Sequence, residues 1–297
     1  MQPSKLDQKH QRKGELYSLA LSIIEAHFPI FAFFSVSALG GLHAYFYSLV
    51  IAAILLIAWC SIRQKFSELK RTHAYKNLAL TSLFITSLFS LIFLALQTTS
   101  PSHVAIILFL QVLFSYLFLG RKPGEKLDRT HLIGVILMTF GALVILFPNQ
   151  FTLKLGDGLA LLAAVIAPFA NLFQKRARAD VSSETILMVR SIIALPFLYL
   201  LAKIFEVDPG WSEIKAQAVW LLLTGGLVFV VSKIFWVEAL HRLPITKVTA
   251  LFAFSPLLTL GLVYFYLDTP PTWVQILGAI PIVIGSIFIT QKASRNL

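Results

Sequence analysis

Apolar residues in this chain fall into blocks about 20 residues long, divided by short charged or turn-forming breaks, and no other feature narrows its fold so far. A helix rises about 1.5 Å per residue, so one block crosses a hydrocarbon core about 30 Å thick. Ten such blocks are expected as membrane helices: 15–36, 39–60, 77–97, 102–119, 130–148, 157–175, 184–204, 217–240, 246–266 and 272–290. The chain is 57% hydrophobic and only 13% charged, which no soluble core could accommodate. Barrel strands alternate in polarity and these blocks do not, so the expectation is an all-α membrane protein.

The net charge of +11 is a matter of topology rather than of nucleic-acid binding. With the N-terminus placed in the cytoplasm, 20 of the 25 lysines and arginines fall in cytoplasmic segments. Only Lys154, Lys203 and Lys215 fall outside, while Arg190 and Lys233 lie within spans. The excess of inside charge predicts a multi-pass protein of the plasma membrane with both termini cytoplasmic. The first apolar run is of full length and reads as a retained span rather than a cleaved leader. Cys60 has no second cysteine to pair with and no neighbours at metal-ligand spacing.

An internal repeat emerges at an offset of 144 residues. Gly14 falls on Gly158, Ala95-Leu96 on Ala239-Leu240, Gly134 on Gly278 and Gly141 on Gly285. Each half holds five spans, an odd number, so the second must enter the membrane from the opposite side. The expected architecture is therefore ten transmembrane helices in two inverted five-helix repeats, 15–148 and 152–290, with cytoplasmic tails 1–14 and 291–297. The glycine pairs, seven residues apart on one helix face, predict close helix packing rather than ligand binding.

The segments WVEALHRLPITKVTALFAFSPLLTLGLVYFYL (236–267), ILGAIPIVIGSIFI (276–289) and FLALQTTSPSHVAIILFLQVLFSYLFLG (93–120) carry a family resemblance. Together with the repeat, they resemble the drug/metabolite transporter superfamily, EamA type, over essentially the whole chain. Ala239-Leu240 and Ser255-Pro256 match its pattern in the second half. In the first half Gln111-Val112 stands in place of Ser-Pro, and Gly120-Arg121 in place of Gly-Glu. The resemblance implies a secondary transporter of a small metabolite.

A charge at bilayer depth costs about 2.5 to 3.5 kcal/mol, so it is turned inward, paired or functional. Glu25 lies near the middle of the first span, and Pro29 cannot donate to its carbonyl, which predicts a bend or opening there. Substrate binding or proton coupling is one reading of Glu25; a structural ion pair with Arg190 or Lys233 is the other. Lys233, with Trp236 three residues on, is expected to present a cation and an aromatic plate on one face. For Arg190, snorkelling to the headgroups competes with a binding role, and Glu238 reads as an interfacial or paired acid. His27 sits two positions from Glu25, about 200° around the helix, and its equivalent in the repeat is Asn171. Both are candidates for the cavity, as is Gln111, while Gln174 is the weaker amide.

The substrate-binding set is thus Glu25, His27, Gln111, Asn171, Arg190, Lys233 and Trp236. No catalytic, metal or cofactor motif stands in the sequence, and no nucleotide-binding loop. The partners expected are a small-molecule substrate, the bilayer and a coupled proton or exchanged solute; a homodimer is compatible with the sequence. A carboxylate-bearing solute such as an amino acid fits two cations and one deep acid. The alternative is a membrane-embedded protein or enzyme acting on a lipid or lipid-linked carrier, which would gather its polar residues at one interface.

Overall fold

The computed structural model describes residues 5–120, 129–146, 154–252 and 254–290, and these are helical with short connections. The loop 121–128, the junction 147–153 and the tail 291–297, where the sequence suggested a basic loop, a repeat boundary and a cytoplasmic tail, lie outside the described residues. The helices are α1 (Lys5–Leu39), α2 (Gly41–Ile62), α3 (Tyr75–Ala95), α4 (Pro101–Phe109), α5 (Gln111–Leu119), α6 (Arg129–Leu146) and α7 (Leu155–Asp180). They continue as α8 (Ser183–Phe205), α9 (Trp211–Ala216), α10 (Ala218–Leu222), α11 (Lys233–Arg242), α12 (Ile245–Leu251), α13 (Phe254–Leu267) and α14 (Trp273–Thr290). Eight helical stretches are long and apolar enough to cross a membrane, joined by two shorter apolar ones, Thr130–Val144 and Trp273–Gly285. The protein is a multi-pass membrane protein.

Four elements differ from the sequence expectation. α1 begins at Lys5 rather than near residue 15, because the polar run before Gly14 holds good helix formers that continue the helix past the apolar block. It also stays α-helical through Pro29, so of the bend or opening expected beside Glu25 no break in the helix is present. Irregularity sits elsewhere: Leu110 makes a turn between α4 and α5, Phe252 ends α12 inside an apolar block, and Leu223–Ser232 winds as a π-helix between α10 and α11.

The repeat is visible as packing. α6 and α14 start and end 144 residues apart and cross through their glycines. A Cβ on Gly141 would meet the Gly278 carbonyl oxygen at 2.5 Å, and one on Gly285 would meet that of Gly134 at 2.5 Å. The last glycine of each pair faces the first of the other, so the two helices run antiparallel, with backbones brought together as small residues permit.

α2 and α8 are also antiparallel, and each is capped by an acid beyond the other's end. Glu206, after α8, accepts from the amides of Leu42 and His43, both at 2.9 Å. Glu68, after α2, accepts from Ser182 N at 2.6 Å and Thr185 Oγ1 at 2.9 Å. A carboxylate at a helix N-terminus satisfies amides left open by the helix and opposes its dipole. These two caps fix the first and second halves against each other at both ends.

Candidate functional site

Glu25, on α1, is buried at 6% exposure among residues that approach it from α11 and from the π-helix before it. Lys233 Nζ lies 2.6 Å from Glu25 Oε1, and Ser232 Oγ donates to the same oxygen. Ser232 and Lys233 are consecutive and occur at the junction where the π-helix returns to α-helix. A π-turn holds one more residue than an α-turn and so rotates the residues after it about the helix axis, and such insertions recur at functional sites. The Lys233 ammonium also faces three rings, those of Phe89 at 5.1 Å, Trp236 at 5.6 Å and Phe28 at 5.9 Å from their centroids. Ring faces are electronegative, so the cation is neutralised by one acid and cushioned by three aromatics.

Around this pair lies a cavity with about 700 Å³ of atom-free space, its open mouth included. Glu25, Gln111, Asn171, Arg190, Lys233 and Trp236 all line it. Trp236 Nε1 donates to Asn171 Oδ1 at 2.9 Å. His27 is not among the lining residues: its ring contacts Phe31 and Tyr266, and Nδ1 lies 2.9 Å from the Ile23 carbonyl. The cause is the rotation of about 200° that separates it from Glu25 on one helix.

Arg190 does not snorkel. It is buried at 4% exposure, and its Nε and Nη1 have no hydrogen-bond partner. Removing an ion from water still costs several kcal/mol after relaxation, so a guanidinium left in this state is not explained by the resting structure. Gln174, also on the cavity wall, has both amide atoms unpartnered, and Asn171 Nδ2 is unpartnered too. Glu238 stands apart from the cavity and is paired, with Arg178 Nε at 2.8 Å and with Ser183 and Arg242.

Apart from the cavity, Leu21, Leu119, Leu240, Leu243 and Leu251 pack in a separate apolar cluster at one end of the bundle, where α5 ends and α11 turns into α12. Polar links brace that end: Lys247 Nζ to Glu15 Oε1 at 2.6 Å and Lys175 Nζ to the Leu243 carbonyl at 2.9 Å.

Two segments, residues 12–147 and 154–291, each match the model of the EamA-like transporter family. The chain belongs to that family. Among relatives, it is similar to "Uncharacterized transporter sll1164" of Synechocystis sp., at 20% identity over 208 residues. That match covers 66% of this chain and 60% of the relative, so the chain spans less than two thirds of that protein's length. A solved protein crystal structure superimposes with a TM-score of 0.77 at 21% identity, over 95% of this chain and 98% of that one, a likeness of fold.

In this EamA-like chain, sequence reading passed over Ser232, and over Phe28 and Phe89 as cation-facing rings. One weak signal was available: the Gly225-Gly226 pair inside an apolar span, where a backbone irregularity is cheapest. Gln174 was visible as an intramembrane amide, but a lone amide often only bridges helices.

Proposed function

We infer that this protein moves a small organic solute across the plasma membrane by alternating access, as a secondary transporter and not as an enzyme. Its ten helical segments act as two inverted five-helix repeats, with both termini in the cytoplasm. The reading is supported most by one observation: buried charges from both halves of the chain, Glu25 from the first and Arg190 and Lys233 from the second, line one interior cavity. A site between inverted repeats is where two conformations can exchange exposure. The antiparallel crossing of α6 on α14 and the reciprocal caps of α2 and α8 fit such a pair of oppositely directed units. The apolar cluster around Leu243 acts as one gate. Glu25, which exchanges a hydrogen-bonded cation for a proton when Lys233 is drawn away, couples transport to a proton or to a counter-solute. The polar groups lie inside the bundle rather than at one face of the bilayer, which favours transport over action on a lipid headgroup.

Access tests this reading. Cys60 is buried and is the chain's single cysteine, so Cys60→Ala leaves a clean background for Ser255→Cys on the cavity wall. A membrane-impermeant maleimide is expected to label that residue from either side of the membrane in turn, and solute to shift the balance. Labelling confined to one side under every condition would remove alternating access.

A further inference from the structure

We propose that the solute is an organic monoanion with an apolar body and no amino group, its carboxylate held by Arg190 with the Gln174 and Asn171 amides. This rests on the transport reading and narrows it.

The cavity's charge balance leads to this class. Among the described residues lining it, Glu25 is the one carboxylate and Lys233 and Arg190 are the cations. Glu25 is already engaged by Lys233 and Ser232 through the same oxygen. The pair is neutral, and one positive charge, that of Arg190, is left over. Its Nε and Nη1 lack partners, as do Asn171 Nδ2 and Gln174 Nε2. A carboxylate accepts from several N–H groups at once, and guanidinium is the side chain best shaped to bind it. One negative charge brings the site to neutrality.

A zwitterion fits poorly. Its ammonium would need a charged acceptor, and the one acid present is committed to Lys233; the unpartnered Gln174 Oε1 is a neutral acceptor and leaves that charge unbalanced. It would also enter beside two cations. An amino acid, the solute first suggested by counting two bases and one acid, is therefore disfavoured once the Glu25–Lys233 pair is seen. A dianion such as a phosphate monoester would leave an excess negative charge in an apolar chamber. The remaining wall is rich in rings and branched chains, including Phe252, Ile85, Leu88 and Ile92, which suits an aryl or alkyl body.

Four probes that share one ring separate these classes: phenylacetate, phenylalanine, phenethylamine and phenyl phosphate. Binding to purified full-length protein is followed by Trp fluorescence and thermal shift, and exchange by counterflow in proteoliposomes. Phenylacetate is expected to bind and to outcompete phenylalanine by about tenfold or more, the worth of one unmatched buried charge contact. Arg190→Gln is expected to abolish the preference and Arg190→Lys to restore part of it. The ranking on the wild-type protein stands even where a variant fails to fold. Stronger binding of phenylalanine, phenethylamine or phenyl phosphate, or no binding by any of the four, overturns the proposal. Exchange of phenylalanine would do so while leaving transport intact. Binding of phenylacetate that depends on Arg190, without exchange, would support the anion site and sink the transport reading alone.

Discussion

Glu25 and Lys233 are 208 residues apart in the chain and 2.6 Å apart in the fold, each nine-tenths buried or more. Their pairing joins α1 to α11 at the wall of the cavity. Removing one partner strands the other charge, which costs about 3 to 5 kcal/mol, whereas replacing both by neutral groups costs far less. Glu25→Gln and Lys233→Met are therefore each expected to lower the melting temperature in detergent markedly, and the double variant to recover much of the loss. Transport is expected to fall in all three. Wild-type flux in either single variant would take the pair out of the mechanism.

Asn171 tests the charge balance from the opposite direction. Asn171→Asp puts a second carboxylate on the same wall and cancels the surplus positive charge. Phenylacetate affinity is expected to drop by about tenfold or more, and phenylalanine, now offered an acceptor for its ammonium, to gain. Competition binding on the purified variant reads both. An unchanged ranking would mean that net charge does not select the solute.

The glycine crossing predicts an asymmetric response to one methyl group. Gly141→Ala and Gly285→Ala each drive a Cβ into a backbone carbonyl oxygen at 2.5 Å, which cannot swing aside as a side-chain end can, and also against Ile282 Cγ1 at 2.8 Å and Met138 Cγ at 2.5 Å respectively. Each is expected to cost about 1 to 3 kcal/mol, the usual range for overpacking. The two share one interface, so their combined effect is expected to depart from the sum. Gly158→Ala meets nothing within 4 Å and serves as the control, neutral or slightly stabilising in a helix. Thermal unfolding of the four variants decides it.

How far the sequence reached depends on whether a feature is local. Apolar blocks, their order and the paired glycines at 134, 141, 278 and 285 are written in spacing, and α6 and α14 follow that spacing in register. Depth along a span is equally legible, which is why six of the seven candidate residues lie on one wall. Rotation about the helix is less so, and His27 is the result. Pro29 illustrates a further limit: proline removes a hydrogen bond but does not dictate a break when neighbouring helices hold the backbone, and α1 stays continuous there. Which cation takes Glu25 and which is left over depends on the π-helix at Leu223–Ser232, a backbone choice with almost no sequence signature.

The caps of α2 and α8 were equally invisible, since each acid sits in a connection and serves a helix more than 100 positions away. Glu68 also carries a pH signature. Burial raises its pKa, but hydrogen bonds from the Ser182 amide, the Ser182 and Thr185 hydroxyls and Lys65 outweigh burial and bring it from 4.5 down to about 2. A folded-state value below the unfolded one means that the cap stabilises fully above pH 4.5. That stabilisation is lost as pH falls from 4.5 towards about 2, where the folded protein takes up the proton. Glu68→Gln is expected to lower stability by about 1 kcal/mol at pH 7, the typical worth of a helix cap. The gap to wild type should close as pH falls from 4.5 towards about 2, because a protonated Glu68 and the glutamine that replaces it offer the helix the same neutral acceptor. Melting curves of both proteins across that window measure it, and a gap that stays constant with pH would show that Glu68 does not act as a charged cap.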